Sequence, residues 1–303
     1  MKNKKSNFLF DFFLAGISAS IGKTVTAPLE RAKLLLQNQN TIDVIEKQYK
    51  GTFDCIIRLV KEEGFFSLWR GNTSNVIRYF PSQALNFAFK DTFKNLFPIY
   101  NSKTDFWKFL ITNCVSGGLA GALSMAICQP IDMARTRLAT DNLDSQGRRK
   151  FKGSIDCLKK IYKAEGLKGI FKGTVISCVG IFPYRAAYFG IYDTIKTRFL
   201  KDNNNFLVKW FMAQSVTIGA GLCLYPLDTV RRRIMIESGK PAHLKKYKNS
   251  WHCLYKIFKE EGYFGLYKGY GTNALRTLGS SVVLVLYDEF QKVCGLEARG
   301  KGK

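Results

Sequence analysis

The chain has 303 residues, 46% of them hydrophobic and 14% aromatic, with a formal charge of +24. So basic a chain calls for an anionic partner: nucleic acid, anionic lipid or a polyanionic small molecule. Six long apolar stretches argue against a soluble nucleic-acid binder and against a soluble all-helical protein, and eight cysteines without a CxxC argue against zinc.

The stretches run over about residues 8–37, 74–97, 109–139, 175–200, 207–236 and 273–294. None is uninterrupted, and Lys23, Arg78, Arg185 and Arg276 fall near the middle of four of them. A charge at bilayer depth is costly and turns to a watery cavity or a partner. No nucleophile–base set or metal cluster suggests an enzyme, and His243 and His252 lie in or beside polar connectors.

In chain order, only residues 1–7 precede the first stretch. That is too short for a cleaved presequence, so any organellar address is expected inside the chain. The opening helix starts near Asn7, and Pro28 removes a backbone hydrogen bond and kinks it. Glu30 and Lys33, three apart, project from one face just past the bend, with Gln37 one turn further. Residues 38–50 form a polar connector. Thr52–Glu63 reads as an amphipathic surface helix ended by Gly64. A second apolar helix starts near Asn72, contains Pro81, and ends about Phe97 after Asp91 and Lys94.

The rest of the chain repeats this unit twice. Pro28-Leu29-Glu30-Arg31-Ala32-Lys33 returns as Pro130-Ile131-Asp132-Met133-Ala134-Arg135 and as Pro226-Leu227-Asp228-Thr229-Val230-Arg231, at offsets of 102 and 96 residues. In the same register Glu63-Gly64, Glu165-Gly166 and Glu261-Gly262 lead to Trp69-Arg70-Gly71, Phe171-Lys172-Gly173 and Tyr267-Lys268-Gly269. A fixed period means one structural unit packed on copies of itself, here over 7–100, 105–200 and 205–295. Arranged around an axis, each acid can reach the base of the next repeat. The expected pairs at the proline end are Glu30 with Arg135, Asp132 with Arg231, and Asp228 with Lys33, one of them braced by Gln37. At the other end they are Lys94 with Asp193, Lys196 with Asp288, and a weaker neutral bond between Asp91 and Gln291. Cys55, Cys157 and Cys253 occupy equivalent positions, so they read as one helix-packing site held apart in triplicate, without a disulfide. Gly16–Ser20 and Gly117–Gly121 read as faces for close helix approach.

The threefold proline–acid–base motif, each followed by glutamate–glycine, resembles the mitochondrial carrier family over about residues 7–295. That resemblance implies an all-α membrane protein. It would have six transmembrane helices in three pseudo-symmetric repeats, each with a short amphipathic helix on the matrix side, around one central site. Both termini would lie on the intermembrane-space side, and the two acid–base rings would be a matrix gate and a cytoplasmic gate. Arg231-Arg232-Arg233-Ile234-Met235-Ile236 is similar to the arginine–methionine signature of the ADP/ATP-exchanging branch, with isoleucine for methionine at 234 and 236. Segments from Arg78 to Asp91, Tyr184 to Gly190 and Leu284 to Glu289 resemble the same branch. The implied activity is ADP/ATP antiport by alternating access in the mitochondrial inner membrane, or the equivalent membrane of a mitochondrion-derived organelle, by a functional monomer with no cofactor, metal or nucleic acid and with cardiolipin bound near Gly71, Gly173 and Gly269. Implied substrate residues are Lys23, Arg78 and Arg276 for phosphate and Gly180, Ile181 and Tyr184 for adenine, beside an unusual Pro183. Asn86, Lys90, Arg185 and Arg232 are further candidates, and Tyr188 and Tyr192 continue an aromatic line. A guanine-nucleotide carrier and an uncoupling protein are the rival carrier readings, both disfavoured by the arginine triplet and Tyr184.

Overall fold

The computed structural model describes residues 2–42, 47–98, 100, 105–143, 146–181, 183–184 and 206–293; residues 2–15, 206–209 and 283–293 are described by their backbone. Long helices are α1 (Lys2–Asn38), α3 (Asn72–Asn95), α4 (Phe106–Ala139), α6 (Phe206–Glu237) and α8 (Tyr270–Val293). Short ones are α2 (Thr52–Glu63), α5 (Ser154–Ile170) and α7 (Ser250–Leu266). Residues 174–181 begin a further helix after α5, and no strand occurs among the described residues. Packing runs from α1 to α3 to α4, and from α6 to α8 and back to α1. The 174–181 helix fills the gap, with the Cys178 thiol donating to Ala122 of α4 and Gly180 facing Leu227 of α6. The result is a barrel of helices in three pairs.

Pro28, Pro130 and Pro226 lie inside α1, α4 and α6. Lacking an N–H, each proline interrupts the ladder where its acid–base motif begins. These three helices converge there, for α1, α4 and α6 touch one another in all three combinations. α4, at 34 residues and 1.5 Å per residue, is about 51 Å long, well beyond a hydrocarbon core of about 30 Å. By length and composition alone, one helix among the described residues, Trp107–Ala139, suffices to cross a membrane. The others carry polar residues inward and apolar ones outward. Ile17, Ile21 and Val25 on α1, Leu119, Leu123 and Ile127 on α4, and Val175 and Val179 are exposed at helical spacing. Such stripes belong against lipid tails.

The surface helices fall where their sequence placed them. α2 spans Thr52–Glu63 and stops at Gly64, whose φ of 88° suits glycine alone. Gly166 and Gly262 make the same turn at φ 65° and 67°, inside stretches that remain helical on both sides. Two features go beyond the expected boundaries. α1 begins at Lys2, and a 3-10 turn over Phe65–Trp69 follows Gly64. Each connector closes a small apolar core. One gathers Leu35, Ile42, Tyr49, Cys55 and Leu59, a second Met133, Phe151, Cys157 and Ile161, a third Val230, Tyr247, Cys253 and Ile257. Cys55, Cys157 and Cys253 thus lie fully buried in three separate clusters, and burial pushes their thiols up to about 12, 11 and 12. Close helix approach holds at Gly16, where a Cβ would run into Phe80, but not at Gly117, which has open space around it.

Candidate functional site

Past each proline the helix turns an acid and, three residues on, a base toward the barrel axis. The structure brings together all three expected pairs at this end. Lys33 Nζ lies 2.8 Å from Asp228, Arg135 pairs with Glu30, and Arg231 pairs with Asp132. Gln37 donates to Asp228 at 3.3 Å and to Thr229 at 3.0 Å. Asn75 of α3 holds the other oxygen of Glu30 at 2.6 Å. The barrel is closed here.

The ring is not symmetric. Asp132 gathers Arg231, Arg232 at 3.1 Å, Arg135 at 3.7 Å and Arg78 at 3.8 Å, whereas Arg135 is the one salt-bridge partner of Glu30 among the described residues. The difference comes from the triplet 231–233. Successive helical residues point about 100° apart, so Arg231 reaches Asp132, Arg232 bridges Asp132 and Asp228, and Arg233 turns outward to Glu261 and Tyr247. Arg232, expected at the substrate, is instead buried within the ring, also donating to Thr136 at 2.6 Å. Its position one residue past the ring base puts it on the side of α6 that faces α4. The next three residues divide likewise: Ile234 enters the third connector core, Met235 the second and Ile236 the first.

Above the ring lies a cavity of about 570 Å³. Lys33, Asp228 and Arg231 form its floor, and Arg78, Gly180, Ile181, Tyr184 and Arg276 line its walls. Tyr225, Asn273 and Ser177 join them. Lys23 lies outside this lining, its ammonium 4.1 Å over the Tyr79 ring, and Asn86 and Arg232 are outside it too. Arg276 accepts positioning from Asn273, one turn earlier on α8, to which it donates at 3.3 Å. Such a pocket can match several negative charges with fixed bases while offering a ring face and a side-chain-free patch at Gly180 to an apolar plane.

Tyr225 was not singled out in the sequence. It precedes Pro226, where Gln129 precedes Pro130 and Ala27 precedes Pro28, so the position was visible but its residue types share no chemistry. Its hydroxyl donates to the Lys268 carbonyl at 3.1 Å, and Lys33 lies 5.3 Å over its ring. Asp193 and Lys196, along with Arg185, Tyr188 and Tyr192, lie outside the described residues. The side chains of Asp91, Lys94, Asp288 and Gln291 do too.

Below the ring, the glutamate–glycine motifs lock the connectors. Glu63 receives Arg31 at 2.7 Å and Arg149 at 3.0 Å; Glu165 receives Lys245 at 2.7 Å and Lys172 at 3.0 Å; Glu261 receives Arg233 and Lys268. Burial opposes ionisation of Glu63 and Glu261, and their arginines overcome it, leaving Glu63 below its ordinary range and Glu261 at about 2. Gly71, Gly173 and Gly269 have φ of 85°, 85° and 82°. A Cβ there would stand 3.1 Å from the Arg135 carbonyl, 3.4 Å from that of Arg231 and 3.1 Å from that of Lys33. Each glycine therefore admits the start of the helix that follows it onto the next repeat's ring base.

A family model described as "Mitochondrial carrier protein" matches residues 4–101, 106–203 and 202–297. The chain is 50% identical to ADP/ATP translocase 3 of Bos taurus over 298 residues, 97% of this chain and 100% of that one. It is also 50% identical to ADP/ATP translocase 2 of Rattus norvegicus over 297 residues, 96% and 99% of the two chains. Against the ADP,ATP carrier protein of Chlamydomonas reinhardtii it is 46% identical over 311 residues, covering both chains fully. With its repeated motif, its helix pairs and this near-complete match, the chain belongs to the mitochondrial carrier family.

Proposed function

We propose that the chain is an ADP/ATP antiporter of the mitochondrial inner membrane, working by alternating access as a monomer. One observation carries the reading: a single cavity lined by Arg78, Arg276 and Tyr184 has the closed ring as its floor. The nucleotide's phosphates would meet Arg78 and Arg276, with Lys23 of α1 as the third base, and its adenine would lie between Gly180, Ile181 and Tyr184. Arginine's planar fork suits phosphate oxygens.

The same geometry supplies the coupling. Arg78 lines the cavity yet stands 3.8 Å from Asp132, and Lys33 and Arg231 each belong to both cavity and ring. A polyphosphate settling on these bases competes with the ring's carboxylates for them. Substrate contacts thereby offset the salt bridges that opening must break, which is the differential affinity a ligand needs to shift two states. The ring at the proline end is the matrix gate: Glu30, Lys33, Gln37, Asp132, Arg135, Asp228 and Arg231. The cytoplasmic gate is Asp91, Lys94, Asp193, Lys196, Asp288 and Gln291. ATP and ADP differ by a charge, so membrane potential biases the exchange by roughly 2.3 kcal/mol per charge per 100 mV. Cardiolipin phosphates would sit at the helix starts after Gly71, Gly173 and Gly269, where the positive end of each helix dipole favours an anion.

Reconstituted protein tests the reading. Labelled ADP should enter liposomes loaded with ATP and not empty ones, and excess GTP should leave uptake unchanged. Equal competition by GTP would replace the adenine assignment by a broader nucleotide carrier. No uptake by folded protein would overturn the substrate.

A further inference from the structure

Beyond the ring, away from the central cavity, a second cavity of about 430 Å³ opens between the ends of α1, α4 and α6. Its walls carry five bases, Arg137, Arg148, Arg149, Lys150 and Lys240, against one acid, Asp141. That acid is spoken for. Arg70 holds its Oδ2 at 2.5 Å, the Phe151 N–H donates to the same oxygen at 3.2 Å, and the Lys150 N–H donates to Oδ1 at 3.2 Å. Two of the bases are built into the wall. Arg137 is 6% exposed, donates to the Ile236 carbonyl and lies 5.2 Å over the Phe151 ring; Lys240 is 9% exposed and donates to the Thr41 carbonyl at 3.1 Å. Arg148 and Lys150 stand exposed at the mouth. The volume lies within the range of small-molecule sites, and a buried arginine and lysine with exposed bases at the rim suit a phosphate-bearing anion.

We infer that this cavity is a second anion site, separate from the transport site, which takes the polyphosphate of pyrophosphate or of a nucleotide on the face that the proposed orientation turns to the matrix. Each of the three repeats contributes to its wall: Thr41 and Ile42 from the first, Arg137 and residues 148–151 from the second, Ile236 and Lys240 from the third. These meet only while α1, α4 and α6 are drawn together by the ring. Opening the ring parts the walls, so an occupant binds the closed state alone and holds it closed. The site is thus a brake on opening toward the anion-rich side.

Purified protein in detergent tests this through its thermal midpoint, titrated with pyrophosphate, inorganic phosphate and ATP at constant ionic strength. The Arg276→Ala chain removes the contribution of the transport site. In that background pyrophosphate should raise the midpoint saturably and more than inorganic phosphate does; a rise with ATP as well assigns nucleotides to the site, and a rise with pyrophosphate alone assigns the free anion. The double variant Arg148→Gln/Lys150→Gln should weaken the effect about tenfold or more, while Lys163→Gln/Lys168→Gln, an equal loss of charge at exposed positions of α5, should not. The inference is overturned if Arg276→Ala abolishes the rise, if sodium chloride reproduces it, or if the double variant leaves it intact. Should the double variant not fold, binding of labelled pyrophosphate to the Arg276→Ala chain decides: about one equivalent supports the site and none removes it. Exchange of ADP for ATP is read separately in liposomes, so a failed transport reading and a failed second site give different results.

Discussion

Replacing Asp132 by asparagine removes the one carboxylate around which four arginines gather. Arg231, Arg232, Arg135 and Arg78 stand within 4 Å of it, and its side chain is only 4% exposed. At an effective dielectric of about 20, the Arg78 pair at 3.8 Å alone carries roughly 4 kcal/mol of attraction before desolvation. Truncating one partner of a buried pair costs about 3–5 kcal/mol, because the remaining charge stays buried. Asp132→Asn belongs at the upper end, since four like charges are left facing each other. At about 2 °C per kcal/mol for a chain of this size, the thermal midpoint should fall by roughly 8–10 °C. Glu30→Gln should cost about half as much, for Glu30 faces a single arginine, is 16% exposed, and keeps its Asn75 bond. Thermal unfolding of the two variants in one detergent, beside ATP-dependent ADP uptake, checks this. Equal shifts, or an unchanged midpoint for Asp132→Asn, would refute the asymmetric ring. Charge reversal, Asp132→Lys, should abolish exchange outright, and normal uptake would sink the gating role.

Glycine 269 should tolerate alanine far less well than Gly64. Both have positive φ, costing about 1–2 kcal/mol for a side chain, but only at 269 does the new Cβ also meet the Lys33 carbonyl and the Tyr225 hydroxyl at 3.1 Å; equal thermal shifts would contradict the close approach. The thiols of Cys55, Cys157 and Cys253 should stay unlabelled by maleimide in the native protein at pH 7.5 and react after denaturation, as peptide mass spectrometry would show, and rapid native labelling would mean the connector cores open readily. Glu261, with an ordinary carboxyl value of 4.5 and a folded value of about 2, contributes stability that is complete above about pH 4.5 and lost as pH falls toward 2. Glu261→Gln should therefore flatten the acid limb of the stability profile, and an unaltered limb would remove the Arg233–Glu261 pair from the account.

The repeat made the architecture legible. Once Pro28, Pro130 and Pro226 were in register, the surface helix Thr52–Glu63 and the ring pairs followed, because equivalent positions on a threefold axis must face one another. Contacts between non-equivalent positions were not legible. Arg31 reaches Glu63, Asn142 and the carbonyls of Ser67 and Ala139, yet Met133 and Thr229 hold its place in the other repeats, so no periodicity marks it. Arg232 read as a further substrate candidate because its partners belong to two different helices. The buried connector residues Ile42, Tyr49 and Phe151 sit in segments whose polar composition suggested only loops. Composition also understated the lipid-facing surface, since bases lining a water-filled interior lower the mean of helices whose outer stripe is apolar.

The stretch Arg231–Ile236 gives the chain something that triplication by itself cannot. Within two turns of one helix it bonds Asp132 of the second repeat and Asp228 and Glu261 of the third, and then seats one side chain in each of the three connector cores. The equivalent residues 33–38 and 135–140 make no such division. A chimaera in which the third repeat is replaced by a copy of the first would keep every shared motif and still lose this cross-wiring. The three units are therefore interchangeable in outline but not in order, and the sequence positions that forbid shuffling them are these six.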